Sequence, residues 1–257
     1  MVLPILLNWY NQCGMRFERI HRESAVESCV RSIRREILSG RLPPGQTLPP
    51  ERRLAEQIGT SRMTLRAALA QLTAARLVEV RHGSAYTVCD YRLGGGPDLL
   101  AGLAASARER DRISDVAGEL LFVRRVLAEA VLRRLSSHPE LDRQPIVDAV
   151  AAFSRAVDDG VAPDQLAEAD IAIIAAILDA TSSPVLRLFI NPIAAALAEL
   201  PELAAAIYAT PGDNVTSYQL LLTWLEDPKP DWVDLIVAEL EKRDRQTIDR
   251  LASMETK

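Results

Sequence analysis

The chain has 257 residues, of which 48% are hydrophobic, and carries a net charge of −5 at pH 7. That length allows two domains. Its three cysteines, Cys13, Cys29 and Cys89, are scattered and odd in number, which excludes a disulfide framework and a thiolate zinc site and fits a reducing, cytoplasmic setting.

The opening run Met1 to Leu7 is apolar but too short to span a bilayer, and it lacks the basic start and small-residue cleavage site of a signal peptide. Residues 1–23 read as an N-terminal extension. From Ala25 to Ser39 a 3.6-residue rhythm places Val26, Val30, Ile33 and Ile37 on one helical face, ending at Gly40. A second, short helix opens after Pro49-Pro50, with Glu51 in its first turn where the helix dipole favours an acid, and closes at Gly59. Thr60 and Ser61 offer hydroxyls to cap a third helix, which carries Leu65, Ala68 and Leu72 on its inner face. Arg62, Met63 and Arg66 then point elsewhere. This is a helix-turn-helix, and arginines at the head of its second helix suit guanine O6/N7 and phosphates in a major groove. Residues 77–81 and 86–89 read as two strands around His82-Gly83-Ser84-Ala85, forming a wing.

Charge supports this division. Residues 1–92 hold 14 Arg and no Lys against 8 acids, a balance of +6, and the remainder carries −11. A basic front meets phosphate and an acidic rear stays off it. The boundary is Asp90-Tyr-Arg-Leu-Gly-Gly-Gly-Pro-Asp, read as a glycine-rich linker over residues 91–98. It has neither the Lys-Ser/Thr of a phosphate-binding loop nor the spacing of a dinucleotide fingerprint. From residue 99 to 257 the pattern predicts only helices, at roughly 98–109, 113–136, 144–158, 163–181, 184–199, 202–208, 214–226 and 230–254. The fold class is mostly α: a winged helix-turn-helix at 24–90, joined by the linker to an all-α antiparallel bundle.

Three polar residues fall on inward faces of that bundle. The stripe Val116, Leu120, Val123, Leu127 and Val131 carries Arg124 on its edge and turns Arg125 away. Asp170 sits among Leu166, Ile173, Ile174 and Ile177, and Tyr218 among Val215, Leu221, Leu222 and Leu225. Either they satisfy one another or they line a ligand pocket, because a buried charge left alone costs several kcal/mol.

Four ordered blocks resemble the GntR family of bacterial transcription regulators: Ile37-Leu-Ser-Gly-Arg-Leu-Pro-Pro-Gly, Leu48-Pro-Pro-Glu-Arg-Arg-Leu-Ala, Ser61-Arg-Met-Thr-Leu-Arg-Ala-Ala-Leu and His82-Gly83. The resemblance to its FadR-like branch implies operator contacts by Arg52, Ser61, Arg62, Met63, Thr64 and Arg66, with His82 and Gly83 at the minor groove. Met63 stands where a small hydroxylic residue is common. Arg52 could instead pair with Glu56 at i+4. In the bundle, Glu119-Leu-Leu-Phe-Val-Arg124 and the segment from Asp170 resemble the effector domain of the same branch, which makes Arg124, Asp170 and Tyr218 effector-binding. Many relatives carry a metal-binding histidine four residues after that Asp; here the residue is Ile174, and His21, His82 and His138 lie outside the later helices. The expectation is therefore a homodimeric regulator of double-stranded operator DNA, off the membrane and without metal or cofactor. The resemblance further implies a small-molecule effector of the fatty acyl-CoA type. A small organic acid, or a protein-binding architectural role, is the alternative. No Ser/His/Asp order or nucleophile elbow points to an enzyme.

Overall fold

The structure is a computed structural model that describes residues 24–81, 85–137 and 142–255. Two compact units divide between Arg110 and Asp111.

The first unit begins with α1 (Ala25–Leu38), whose start is fixed by a capping box. Ser24 Oγ accepts from the Glu27 amide at 3.1 Å, and the Glu27 carboxylate accepts from the Ser24 amide at 2.9 Å. The helix ends before Gly40, which adopts φ 76°. Helix α2 (Glu51–Ile58) stops at Gly59, left-handed at φ 75°, and α3 (Arg62–Ala74) starts at Ser61, whose Oγ accepts from the Thr64 amide. Strands β1 (Val78–Arg81) and β2 (Ala85–Val88) pair antiparallel, with Val78 opposite Val88. The segment before α2 joins them: Leu48 donates to the Tyr86 carbonyl at 2.8 Å, and Val88 donates to that of Gln46 at 2.9 Å. No strand was expected there, because a segment this short beside Pro49-Pro50 shows no alternation. Val30, Ile33, Ile37, Leu65, Leu69, Leu72 and Leu77 form one buried core, each large side chain contributing about 1.5–3 kcal/mol.

The glycine segment differs from the linker expected of it. Tyr91–Gly94 form a single turn, α4, followed by a 3-10 turn at Pro97–Leu99 and by α5 (Leu100–Arg108). A Cβ on Gly95 would meet the Tyr91 carbonyl oxygen and a Leu99 methyl, each at 2.6 Å. These glycines permit close packing rather than looseness. Gly102 faces Leu38 in the same way, and Glu109 pairs with Arg35 and Arg41, both at 3.4 Å. So α5 belongs to the first unit, and the boundary expected at residues 98 and 99 moves to 110 and 111. Polarity could not reveal this, since α5 reads as apolar whichever unit it packs against.

The second unit holds α6 (Ile113–Ser136), α7 (Gln144–Asp158), α8 (Pro163–Ala180), α9 (Pro184–Ala198), α10 (Pro201–Ile207), α11 (Pro211–Glu226) and α12 (Asp231–Glu255). Helices α6 and α12 run antiparallel along their lengths. Glu255 accepts from the Ile113 amide at 2.7 Å at one end, and Arg133 donates to Asp234 at 2.5 Å at the other. Five helices begin with proline at or next to their first position, where the missing N–H costs nothing: α7, α8, α9, α10 and α11. Phe153 lies at the centre, fully buried, with the rings of Tyr208 and Tyr218 at 6.2 and 5.5 Å. One inward position on α6 is corrected: Val123 is 45% exposed, while Leu121 is buried. The apolar stripe drifts around a helix of 24 residues, so a single face does not persist along it.

Gly95→Ala should lower the stability of the full chain by about 1–3 kcal/mol, the cost of overpacking. Urea unfolding followed by circular dichroism would show it; an unchanged midpoint would mean that this corner yields freely.

Candidate nucleic-acid interface and interior polar cluster

Arg52, Ser61, Arg62, Met63, Thr64 and Arg66, all expected at a DNA surface, fall on one helix-turn-helix. Ser61 turns its hydroxyl inward to cap α3, where it also shares a hydrogen bond with Thr64 Oγ1 at 2.8 Å. Its contribution is thus to set where α3 starts, worth about 1 kcal/mol. Arg62 and Met63 follow in the first turn; both are exposed, Met63 to 75%. An apolar side chain so far out of the core has no role in packing the unit. Arg66, one turn later, donates from Nε to Glu51 Oε2 at 2.7 Å. That carboxylate is only 16% exposed and stands at the start of α2, so it orients the guanidinium and leaves its remaining nitrogens outward. Arg52 is 80% exposed, with Glu56 at 3.6 Å. A pair that exposed is worth little and does not fix the arginine. Arg62 has no ion-pair partner among the described residues. His82 and Gly83 lie outside the described residues.

In the second unit the interior polar residues are brought together, with partners the periodicity did not supply. Tyr218 donates its hydroxyl to Asp170 Oδ1, and the Tyr208 hydroxyl lies near enough to act on the same carboxylate. Burial raises the Asp170 carboxyl above the ordinary carboxylate range, more than the tyrosine hydroxyls, Arg124 and Arg243 lower it. Tyr208 and Tyr218 are themselves pushed up, first by burial and then by the facing carboxylate, so both stay protonated donors. Arg124 does not bond Asp170 directly. Its Nη2 reaches Asp244 Oδ1 at 2.8 Å, and Arg125 Nη1 takes Asp244 Oδ2 at 2.6 Å. Arg125 was expected to point away; its side chain is only 14% exposed, against 27% for Arg124. The helix path allows this because α12 packs across both positions, and a long guanidinium stem reaches back from a flank. Arg243 donates to Ser217 Oγ at 2.6 Å.

Tyr208, Arg125, Arg243 and Asp244 were absent from the expected set. For Asp244 a signal existed: Val233, Val237, Leu240, Asp244, Thr247 and Leu251 repeat at alternating four- and three-residue steps, which puts the acid on the buried seam of α12. Among the described residues no group of His, Cys, Asp and Glu is placed to hold a metal ion. No single described helix is long and apolar enough to cross a membrane.

Comparison with known proteins bears on each unit. Residues 25–88 match the family of bacterial regulatory proteins, gntR family. The HTH-type transcriptional regulator Mce2R of Mycobacterium tuberculosis is 41% identical over 127 residues, 49% of each chain. The fatty acid metabolism regulator protein of Edwardsiella ictaluri is 33% identical over 156 residues, 60% of this chain and 62% of that one. The matched stretch thus spans between about half and three fifths of these relatives. Among solved structures, that of Lar, which controls expression of the Listeria monocytogenes agr system, is similar with a TM-score of 0.55 and 17% identity, covering 90% of this chain and 99% of that one. At that identity the likeness is one of fold.

The raised Asp170 carboxyl has a consequence for stability. The folded chain holds that proton to higher pH than the unfolded chain, so the stability it contributes is complete below the ordinary carboxylate range and is lost as pH rises through the raised value. Asp170→Asn should remove this loss. In urea unfolding from pH 4 to 7, the variant should gain on the wild type as pH rises; a constant difference would show that folding does not raise the Asp170 carboxyl.

Proposed function

We propose, from the premise that residues 25–88 are a DNA-binding domain of the gntR family, that the chain is a ligand-responsive transcription regulator. The family is one of DNA-binding regulators rather than enzymes. The observation that carries the reading is the head of α3: Arg62, Met63 and Arg66 stand exposed beyond a core that needs none of them, on a helix whose start is set by Ser61. Arg62 and Arg66 supply guanidinium donors for guanine edges or phosphates, and Met63 supplies an apolar contact of the kind a thymine methyl accepts. Arg52 and Thr64 flank them as phosphate contacts, and His82 and Gly83 reach toward the minor groove. Two copies of the chain, as a homodimer, address half-sites of one palindromic operator.

The second unit is the sensor in this proposal. Arg124, Asp170 and Tyr218 mark the effector site, and the half-buried walls of Ala, Ile and Leu around them suit an acyl chain. The similarity to proteins described as fatty acid metabolism regulators supports a fatty acyl-CoA effector. Effector binding biases the bundle between two arrangements and thereby the affinity for DNA.

Fluorescence anisotropy on DNA from the region upstream of the gene, with excess competitor DNA, tests the first half. Arg62→Ala and Arg66→Ala should each cost about 1–3 kcal/mol of specific binding. Retention of full affinity by both would remove this helix from the interface. Oleoyl-CoA should release the wild type, and Arg124→Ala should blunt release while leaving DNA affinity intact. A wild type that ignores the thioester would sink the acyl-CoA assignment.

A further inference from the structure

The interior cluster carries more positive than negative charge. Three guanidinium groups, Arg124, Arg125 and Arg243, gather around two carboxylates, Asp170 and Asp244. Outside them Glu241 is taken up by Arg245 on the exposed side of α12. Arg243 is half-buried and donates only to a neutral hydroxyl, that of Ser217, although its charge and that of Arg124 both act on Asp170. Its guanidinium thus feels a carboxylate without bonding one, and a half-buried cation in that state favours a further anion in direct contact.

We infer that the sensor takes an amphipathic ligand with an anionic head group, bound by Arg124 and Arg243, and that Asp244 is the internal anion with which that head group competes. This rests on the effector reading above and deepens it. Arg124 and Arg125 hold separate oxygens of Asp244, at 2.8 and 2.6 Å. Arg124 can therefore turn to an incoming oxyanion while Arg125 keeps Asp244 paired, which avoids the penalty of stranding a buried carboxylate. Arg243, bonded to the Ser217 hydroxyl and acting with Arg124 on Asp170, supplies the second guanidinium, and charge-assisted bonds from guanidinium to oxyanion are the strongest such groups make.

An independent observation points to the same place. Asn214 is 4% exposed, and its buried Oδ1 has no hydrogen-bond partner. It stands on α11 one turn before Ser217 and Tyr218, on their face of the helix. A ligand carrying a hydroxyl or amide next to its head group would satisfy it. The tail is accommodated by apolar side chains that pack on the core yet remain only half-buried, including Leu127, Ile174, Ile177, Val215, Leu222 and Val237. Because α6 carries Arg124 and α12 carries Asp244, the exchange loosens the tie between the two longest helices of the unit. That links occupancy to a change of packing.

Calorimetric titration of the full chain with dodecanoate, dodecyl phosphate and dodecanol tests the idea. The two anions separate a carboxylate from a phosphate head, and the alcohol reports the tail alone. At least one anion should bind about ten-fold tighter than dodecanol. Arg243→Gln should erase that preference, and it disturbs folding little because its partner Ser217 is a neutral hydroxyl. Asp244→Asn should melt at lower temperature yet bind the anion several-fold more tightly. A purely structural Asp244 would lower the melting temperature without that gain. Equal binding of all three probes, binding of none, or a preference that survives Arg243→Gln would overturn the proposal. Oleoyl-CoA release from DNA, run in parallel, separates the readings: release without head-group preference leaves the regulator standing and removes the anion site. Preference without release keeps the anion site and removes the acyl-CoA assignment.

Discussion

Asp244 is the constraint on which the second unit depends. It sits 7% exposed in the seam between α6 and α12 and accepts from two consecutive arginines of the facing helix. A carboxylate in that position is tolerable only if it is paired, and removing one partner of such a pair costs about 3–5 kcal/mol. The rest of the interior follows from this choice. With Arg124 and Arg125 committed to α12, Asp170 on α8 is left to the hydroxyls of Tyr208 and Tyr218. Those tyrosines in turn pack their rings on Phe153. One polar layer thus ties α6, α8, α11 and α12 together, where leucines alone would have specified little about their rotation.

The first unit rests on a different principle. Its core is apolar apart from the buried hydroxyls of Ser39, Thr87 and Ser106, and charged residues act at its ends and corners. Ser24 and Glu27 start α1, Ser61 starts α3, and Gly59 allows the sharp turn between α2 and α3. Glu51 reaches from the start of α2 to Arg66 and so connects the two helices of the motif at their surface. Of the outward side chains at the head of α3, Arg66 makes that tie, whereas Arg62 and Met63 stand exposed. In the proposed function the apolar unit reads DNA by presenting a fixed surface, and the unit with the charged interior senses a ligand by having two arrangements of similar energy.

The helix-turn-helix was legible because every local signal agreed. Proline and an acid open α2, glycine closes it, a hydroxyl caps α3, and Leu65, Ala68 and Leu72 keep helical spacing. The chain thereby determined where these elements lie and which faces of them are apolar. It also placed Asp170 and Tyr218 inward, since each is surrounded by aliphatic residues at i±3 and i±4.

Tertiary structure decided what periodicity has no means to encode. Whether Arg124 or Arg125 reaches the interior depends on where α12 crosses α6, and both do. Whether Gly95 swings or packs depends on Leu99 and Tyr91 closing over it. Whether α5 joins the unit before it or after it depends on Leu38, Arg35 and Arg41, more than sixty residues upstream. Spacing along a chain fixes what a helix presents, because the backbone repeat is local. Which partner meets that face is set by contacts between distant segments, and only the folded chain contains them.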